Sequence, residues 1–345
     1  MKRIILLCIL SSILFIAACG QQEEATTAEG GQLDIYTTVY PLQYFTERIG
    51  GNEVKVQSIY PPGANEHTFE PTQKDMIALA DADLFFYIGL GLEGFVENAK
   101  KTLAEENVEM VAVIDGVPDS ALEVNEDEHD HHDQEGTDEQ DHEGHEEDSA
   151  EADEHNHDSE ENGDGHEGHD HGDTDPHVWI SPKISQDLAL TVKNKLVEVS
   201  PENEKLFEEN YQALVSELQQ LDTDFEEMSH AASSKTFFVS HAAFGYLADT
   251  YGLEQIAIAG LNSQQEPSQK ELTKIIDMAK EKNVEYILFE QNVNSKLTEV
   301  IQKEIGAESL VLHNLGVLSK EDIANEETYF TLMQKNLETL KTALN

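Results

Sequence analysis

Short apolar runs alternate with helical stretches in two separate blocks of this chain, and that grammar narrows the choice of fold more than any other feature. In the first block Leu33–Val39, Val54–Tyr60, Leu84–Ile88 and Met110–Ile114 are rich in β-branched and aromatic residues and read as strands. Helical segments from Pro41 to Ile49, Pro71 to Ala80 and Glu93 to Glu106 separate them, the first stopped by Gly50-Gly51. Leu84-Phe85-Phe86-Tyr87-Ile88 is apolar throughout, as expected of a strand covered on both faces. The second block repeats the pattern with strands Thr236–Val239, Glu254–Ala259, Glu285–Phe289 and Ser309–Leu312. Its helices are Ala242–Tyr251, Pro267–Lys282, Ser295–Ile305 and a last one from about Asn325. The pattern predicts an α/β protein of two lobes, each a largely parallel sheet flanked by helices.

Between the blocks the period changes. After Pro182 the chain reads as helix to about Val199, and a second helix starts at Ser200-Pro201, a cap residue followed by proline. Leu206, Phe207, Tyr211, Leu214, Val215, Leu218, Leu221, Phe225 and Met228 then recur mostly at intervals of three and four, one buried stripe. A helix of about 27 residues would span roughly 40 Å. That is long enough to run the length of a two-lobed protein, though periodicity alone fits a surface helix of one domain equally well.

One segment cannot belong to any core. From Glu126 to Asp173 there are 48 residues with ten His, 23 Asp or Glu and no Lys or Arg. So little apolar surface and so much like charge predict a disordered insertion within the first lobe. The tract accounts for 23 of the 49 net negative charges and leaves 26 for the remainder. So acidic a chain is not expected to bind nucleic acid, or anionic lipid through its surface, whereas a diffusing divalent cation is drawn to it. Clusters such as His129-Asp130-His131-His132 and His166-Glu167-Gly168-His169-Asp170-His171 favour metal contact over a mere solvating spacer.

The N-terminus reads as an address. Lys2-Arg3, an apolar stretch from Ile4 to Ile16 and small residues before Cys19 form a secretory signal too short for a spanning helix. The pattern resembles a bacterial lipoprotein signal, so residues 1–18 are expected to be removed. Cys19 would then carry the lipid, and residues 19–32 form a polar tether to the membrane. Cys8 falls in the signal, so a mature chain beginning at Cys19 has no other thiol, which excludes a disulfide framework, a Cys-based zinc site and a thiol nucleophile. The expected divisions are residues 33–199 for the first lobe with the insertion at 126–173, 200–230 for the linking helix and 231–345 for the second lobe. Without signal and tract roughly 280 residues remain, enough for two cores.

Ligands of open α/β sheets bind beyond the carboxyl ends of the strands. Four metal-capable side chains fall there: His67 after Val54–Tyr60, His177 at the exit of the tract, His241 after Thr236–Val239 and Glu290 after Glu285–Phe289. Only five histidines lie outside the tract, and the other two, His230 and His313, read as surface or packing residues. A lone His after a strand is more often a cap or a core residue than a ligand. It is the coincidence of several that raises the metal reading.

At these positions the chain resembles the solute-binding lipoproteins of zinc and manganese ABC importers. The likeness rests on His67-Thr68-Phe69-Glu70-Pro71, Asp175-Pro176-His177-Val178-Trp179-Ile180-Ser181-Pro182, Asn210-Tyr211 with Leu214, Leu218 and Leu221, Ser240-His241-Ala242-Ala243-Phe244, and Glu290-Gln291, in that order. The resemblance implies two α/β lobes joined by one long rigid helix, with the metal between them. His67 and His177 would come from the first lobe, and His241 and Glu290 from the second. A His at the third position and an acidic, His-rich insertion before the second ligand both resemble the zinc-specific branch. Some members use water or a glutamate beside the first His, which makes Glu66 a rival to Glu290.

Three imidazoles and a carboxylate suit Zn2+, whereas manganese favours more oxygen. The expected protein is an extracytoplasmic, membrane-anchored monomer that delivers zinc to an ABC permease and is not an enzyme, with the tract as a weak zinc collector. Three alternatives stand beside it. One is a manganese-binding member of the same family. The second is a zinc hydrolase using Glu66 or Glu70 as base, although a filled ligand shell leaves no place for an activated water. The third is an adhesin or storage protein.

Overall fold

The computed structural model describes residues 31–122, 174–291 and 296–345. The signal, Cys19, most of the tether and the whole His-rich tract lie outside the described residues.

Both lobes are built from four parallel strands. In the first, β1 (Leu33–Thr37), β2 (Val54–Ser58), β3 (Leu84–Tyr87) and β4 (Glu109–Ala112) lie in the order β2-β1-β3-β4. In the second, β5 (Thr236–His241), β6 (Glu254–Ala259), β7 (Tyr286–Phe289) and β8 (Glu308–Val311) lie in the order β6-β5-β7-β8. The two lobes thus share one topology, and the strand order of each reverses between its two central strands. Beyond the carboxyl ends of those strands the connections part to opposite faces and leave a crevice. His241 ends β5 and Glu290 follows β7, so the second lobe places both at its reversal point.

The helices of the first lobe are α1 (Tyr40–Gly50), α2 (Gln73–Ala80), α3 (Val96–Thr102) and α4 (Pro182–Val199). Pro41 opens α1 with its φ already set, Thr72 closes a capping box with Asp75 on α2, and Ser181 caps α4 ahead of Pro182. α3 is shorter than the sequence suggests. Residues from Gly89 to Leu92 form a tight loop with Gly89, Leu90 and Gly91 all at positive φ. The buried Glu93 carboxylate, which accepts from the Ile88 and Gly89 amides and from Thr38 Oγ1, is committed to that loop and not to a helix.

α5 (Glu204–Ala231) follows a single 3-10 turn and has 28 residues, about 42 Å at 1.5 Å per residue. It buries Phe207, Leu214, Leu218, Leu221, Phe225 and Met228 against α4, α1 and the last helix. Leu206, placed in the stripe by sequence, is exposed because it sits one residue off that face. The second lobe continues with α6 (Gly245–Thr250), α7 (Gln269–Glu281), α8 (Lys296–Ile305), α9 (Lys320–Ala324) and α10 (Tyr329–Ala343). The C-terminal helix expected from about Asn325 starts at Tyr329 behind a Thr328 capping box, and a short helix not expected from the sequence, with its own box at Ser319, precedes it.

The lobes are not independent cores. One hydrophobic cluster runs from Ile35 in β1 through α1, α4 and α5 to Leu344, and only the outer face of the second sheet, around Phe238, Ile287 and Ile301, packs separately. Tyr329 of α10 is central: its ring meets Phe45 and Tyr44 of α1, and its hydroxyl contacts Ser185 Oγ and the Trp179 carbonyl. No helix among the described residues is long and apolar enough to cross a membrane.

Candidate metal centre

Three loops and one strand end converge between the lobes. His67 sits in a turn after β2 whose Asn65 side chain accepts from the His67 amide and donates to Ser263 Oγ of the second lobe. His177 precedes a buried 3-10 turn, Val178–Ile180, that leads into the Ser181 cap of α4. Trp179 fixes this turn: it is fully buried, and its Nε1 donates to the Asn314 carbonyl of the second lobe over 2.7 Å. His241 closes β5, whose last five residues are all buried.

The three imidazoles form a compact group in which one nitrogen from each lies within 4.8 Å of the others. Ring centroids are 5.1 Å apart for His67 and His177, 5.1 Å for His67 and His241, and 4.9 Å for His177 and His241. His67 Nε2 and His177 Nε2 are 3.2 Å apart. Two nitrogens bound to one tetrahedral zinc at 2.0–2.1 Å would be about 3.3 Å apart, so this spacing matches a pair of ligands.

The second ring nitrogen of each buried histidine is committed. His177 Nδ1 donates to Asp175 Oδ1 at 2.7 Å, and the His177 amide donates to the same oxygen, which turns Nε2 toward the cluster. Asp175 is itself held across the lobes, because Tyr246 of α6 donates to its carbonyl. Gly245 gives it room, since a Cβ there would lie 2.7 Å from Asp175 Oδ2. His241 lies between Glu290, 3.1 and 3.2 Å from Nδ1, and the Leu261 carbonyl, 2.9 Å from Nε2.

These surroundings pull the histidines apart electrostatically. Burial, together with the neighbouring His177 and His241, lowers His67 to a pKa of about 3, so it is neutral at any physiological pH. Burial also pushes His241 down, but the Glu290 carboxylate and the hydrogen bonds to Glu290 and Leu261 outweigh it and raise it to about 9. The protonated form of His241 is therefore favoured at neutral pH, with an acceptor oxygen beside each ring nitrogen.

Glu290 lies against His241 and accepts from Ser240 Oγ, but it falls outside the group of three nitrogens. Glu66, its rival, is also buried, and burial raises its pKa. Both carboxylates meet at Asn314, whose Nδ2 donates to Glu66 Oε1 at 2.9 Å and to Glu290 Oε2 at 2.8 Å. His230 is exposed on α5. His313 is buried, accepting from the Leu315 amide and facing Asp322, and it packs the second lobe away from the cluster. Sequence reasoning missed Asn314 and the orienting role of Asp175. Asp175 stands two residues before His177, a spacing that could have pointed to it; a lone Asn after a strand carries no such signal.

A profile of the ZnuA family, described as the periplasmic component A of the zinc-uptake complex, matches residues 35–343. The chain belongs to that family. The resemblance read from the motifs is thereby borne out. Over 338 residues the chain is 35% identical to the high-affinity zinc uptake system protein ZnuA of Bacillus subtilis, covering 97% of this chain and 96% of that one. It is 33% identical to the zinc-binding lipoprotein AdcA of Streptococcus pneumoniae, spanning 99% of this chain but only 61% of AdcA. The crystal structure of the Zn(II)-bound ZnuA-like domain of that AdcA superposes with a TM-score of 0.67 at 30% identity, covering 91% of this chain and 99% of the domain. The names describe zinc-uptake and zinc-binding proteins, and no enzyme is among these three.

Proposed function

We propose that this ZnuA-family chain is the extracytoplasmic binding component of a zinc ABC importer, with His67, His177 and His241 as three ligands of the transported ion. The observation that carries the reading is the convergence of three imidazoles from separate segments and both lobes on a point between them. Glu290, bonded to His241, is the fourth ligand in this reading, and Glu66, buried on the same Asn314 amide, is its rival. Three nitrogens and one oxygen favour zinc over manganese. A shell filled by protein suits a carrier, which must keep its ion from activating water, and a shell divided between lobes lets the ion leave when the lobes part.

The finer parts of the proposal come from sequence. Cys19 would anchor the mature chain to the outer face of the membrane, next to the permease that receives the ion. The tract from Glu126 to Asp173 would gather zinc weakly. Zinc titration of the intact chain against a chelating competitor tests the core of the reading. One tight site is expected, weakened at least about tenfold by His67→Ala, His177→Ala or His241→Ala and untouched by His230→Ala. Equal losses in all four variants would sink it.

A further inference from the structure

His241 and the side chains that hold the His177 segment come from one strand–helix unit of the second lobe. β5 ends on His241, and α6 follows it with Gly245, Tyr246 and Thr250. α6 grips the segment from Asp175 to Ser181 at both of its ends. At one end the Tyr246 hydroxyl donates to the Asp175 carbonyl at 2.9 Å, and Gly245 leaves space for the Asp175 carboxylate, which a Cβ there would meet at 2.7 Å. At the other end Ser181 Oγ and Thr250 Oγ1 are 3.2 Å apart. Thr250 gives its own hydrogen to the Tyr246 carbonyl at 2.6 Å, and Ser181 Oγ accepts from the Ile184 amide, so it is Ser181 that donates across the lobes.

Tyr246, His177 and Ser181 are buried, and the Asp175 side chain is 9% exposed. A hydrogen bond in such surroundings costs more to lose than one at the surface. What this one controls is aim. Asp175 Oδ1 accepts from both the His177 amide and His177 Nδ1, so the position of residue 175 decides where the imidazole points and which of its nitrogens is left free.

We propose that Tyr246 is a positioning residue for zinc binding: it fixes the Asp175 backbone from the second lobe and so aims His177, which belongs to the first. The second lobe then governs two ligands, His241 directly and His177 through Tyr246 and Asp175. His177 keeps its binding orientation only while β5 and α6 stand against it. This role presupposes the zinc-carrier reading above and deepens it.

A double-mutant cycle on zinc affinity, measured by competition with a chelator, tests it. Tyr246→Phe keeps the ring and removes the hydroxyl. It should weaken zinc binding about fivefold, less than the loss expected from Asp175→Ala because it acts one bond further out. In Asp175→Ala the carbonyl remains for Tyr246 to bond, but the carboxylate that transmits its position is gone. Adding Tyr246→Phe to Asp175→Ala should therefore change the affinity by less than about twofold. Tyr251→Phe is the control. It removes a hydroxyl just beyond α6 that bonds Asp222 of α5, and it should leave zinc affinity unchanged. In the metal-free protein, nitrogen NMR shifts of His177 should report an Nδ1-protonated ring in the wild type and a mixture of tautomers in Tyr246→Phe, a change that general loosening of the fold would not single out. Full additivity in the cycle, an equal loss in Tyr251→Phe, or an unchanged His177 tautomer in Tyr246→Phe overturns the proposal and leaves the carrier reading intact. A wild type without one tight zinc site sinks the carrier reading itself and takes the proposal with it.

Discussion

Zinc should bind this protein with an affinity that climbs steeply through neutral pH, and the slope should belong to His241. With a pKa raised to about 9, His241 carries a proton at pH 7 that zinc must displace, whereas His67 at about 3 has none to lose. One displaced proton means that the apparent affinity rises about tenfold per pH unit until pH approaches about 9, hence about 30-fold between about pH 7 and 8.5. Competition with a chelator of known protonation constants measures it directly. Glu290→Gln removes the carboxylate that sustains the imidazolium, so in that variant the slope should flatten even though the affinity itself falls. A flat wild-type profile, or a slope untouched by Glu290→Gln, would refute the reasoning.

The same two groups should leave opposite marks on the metal-free fold. His241 has a folded pKa above its unfolded value of about 6.5, so its contribution is complete below about pH 6.5 and is lost as pH rises through about 9. A shift of that size corresponds to at most about 3 kcal/mol. His67 has a folded pKa below its unfolded value, so stability is lost as pH falls from about 6.5 toward about 3, where the unfolded chain takes up a proton that the folded chain refuses. Metal-free protein should therefore be most stable near pH 6.5 as far as these two groups decide it, and zinc should move that optimum upward.

Deleting Glu126 to Asp173 should remove several weak zinc sites and leave one tight site, measured by calorimetric titration; loss of the tight site would place His177 with the tract instead of the ordered lobe. Cys19→Ala should release the protein from the membrane fraction with zinc binding intact, as cell fractionation checks. Trp179→Phe keeps most of the apolar contact but leaves the buried Asn314 carbonyl without its indole donor, and should cost about 1–3 kcal/mol by urea unfolding. Asp175→Ala should weaken zinc binding by about 10–100-fold with the exposed Asp277→Ala as a control, since His177 would no longer be turned toward the cluster.

The alternation of apolar runs was enough to read both sheets because parallel strands covered by helices are written as contiguous apolar segments, such as Leu84 to Ile88. All eight expected strands have counterparts, within one to two residues at most ends. The helical readings failed where a side chain overrides the period. Glu93 carries an acidic residue into a position that looks like a helix start, yet it is spent on the Ile88–Gly89 amides. The convergence of the three histidines was legible because each follows the strands of its lobe and the three coincide, although a lone one carries little signal. Glu290 could be placed at a strand end but not ranked against Glu66, since a carboxylate carries the same letter whether it binds a metal or an amide.

What the sequence could not express is the mutual dependence of the lobes. Each block has the grammar of a complete domain, and nothing in either marks the residues that cross between them. Trp179 reaches Asn314, Tyr246 reaches Asp175, Asn65 reaches Ser263, and Tyr329 of the last helix packs on Phe45 near the chain's start. Three of these four contacts come from residues in, or one or two positions from, the segments that carry His67 and His177. The groups that join the lobes are therefore the ones that set the histidines' positions, and any separation of the lobes must loosen the histidine cluster together with the interface. A site built on this interface need have no independent gate: the contacts that close the protein are also those that hold the cluster in register.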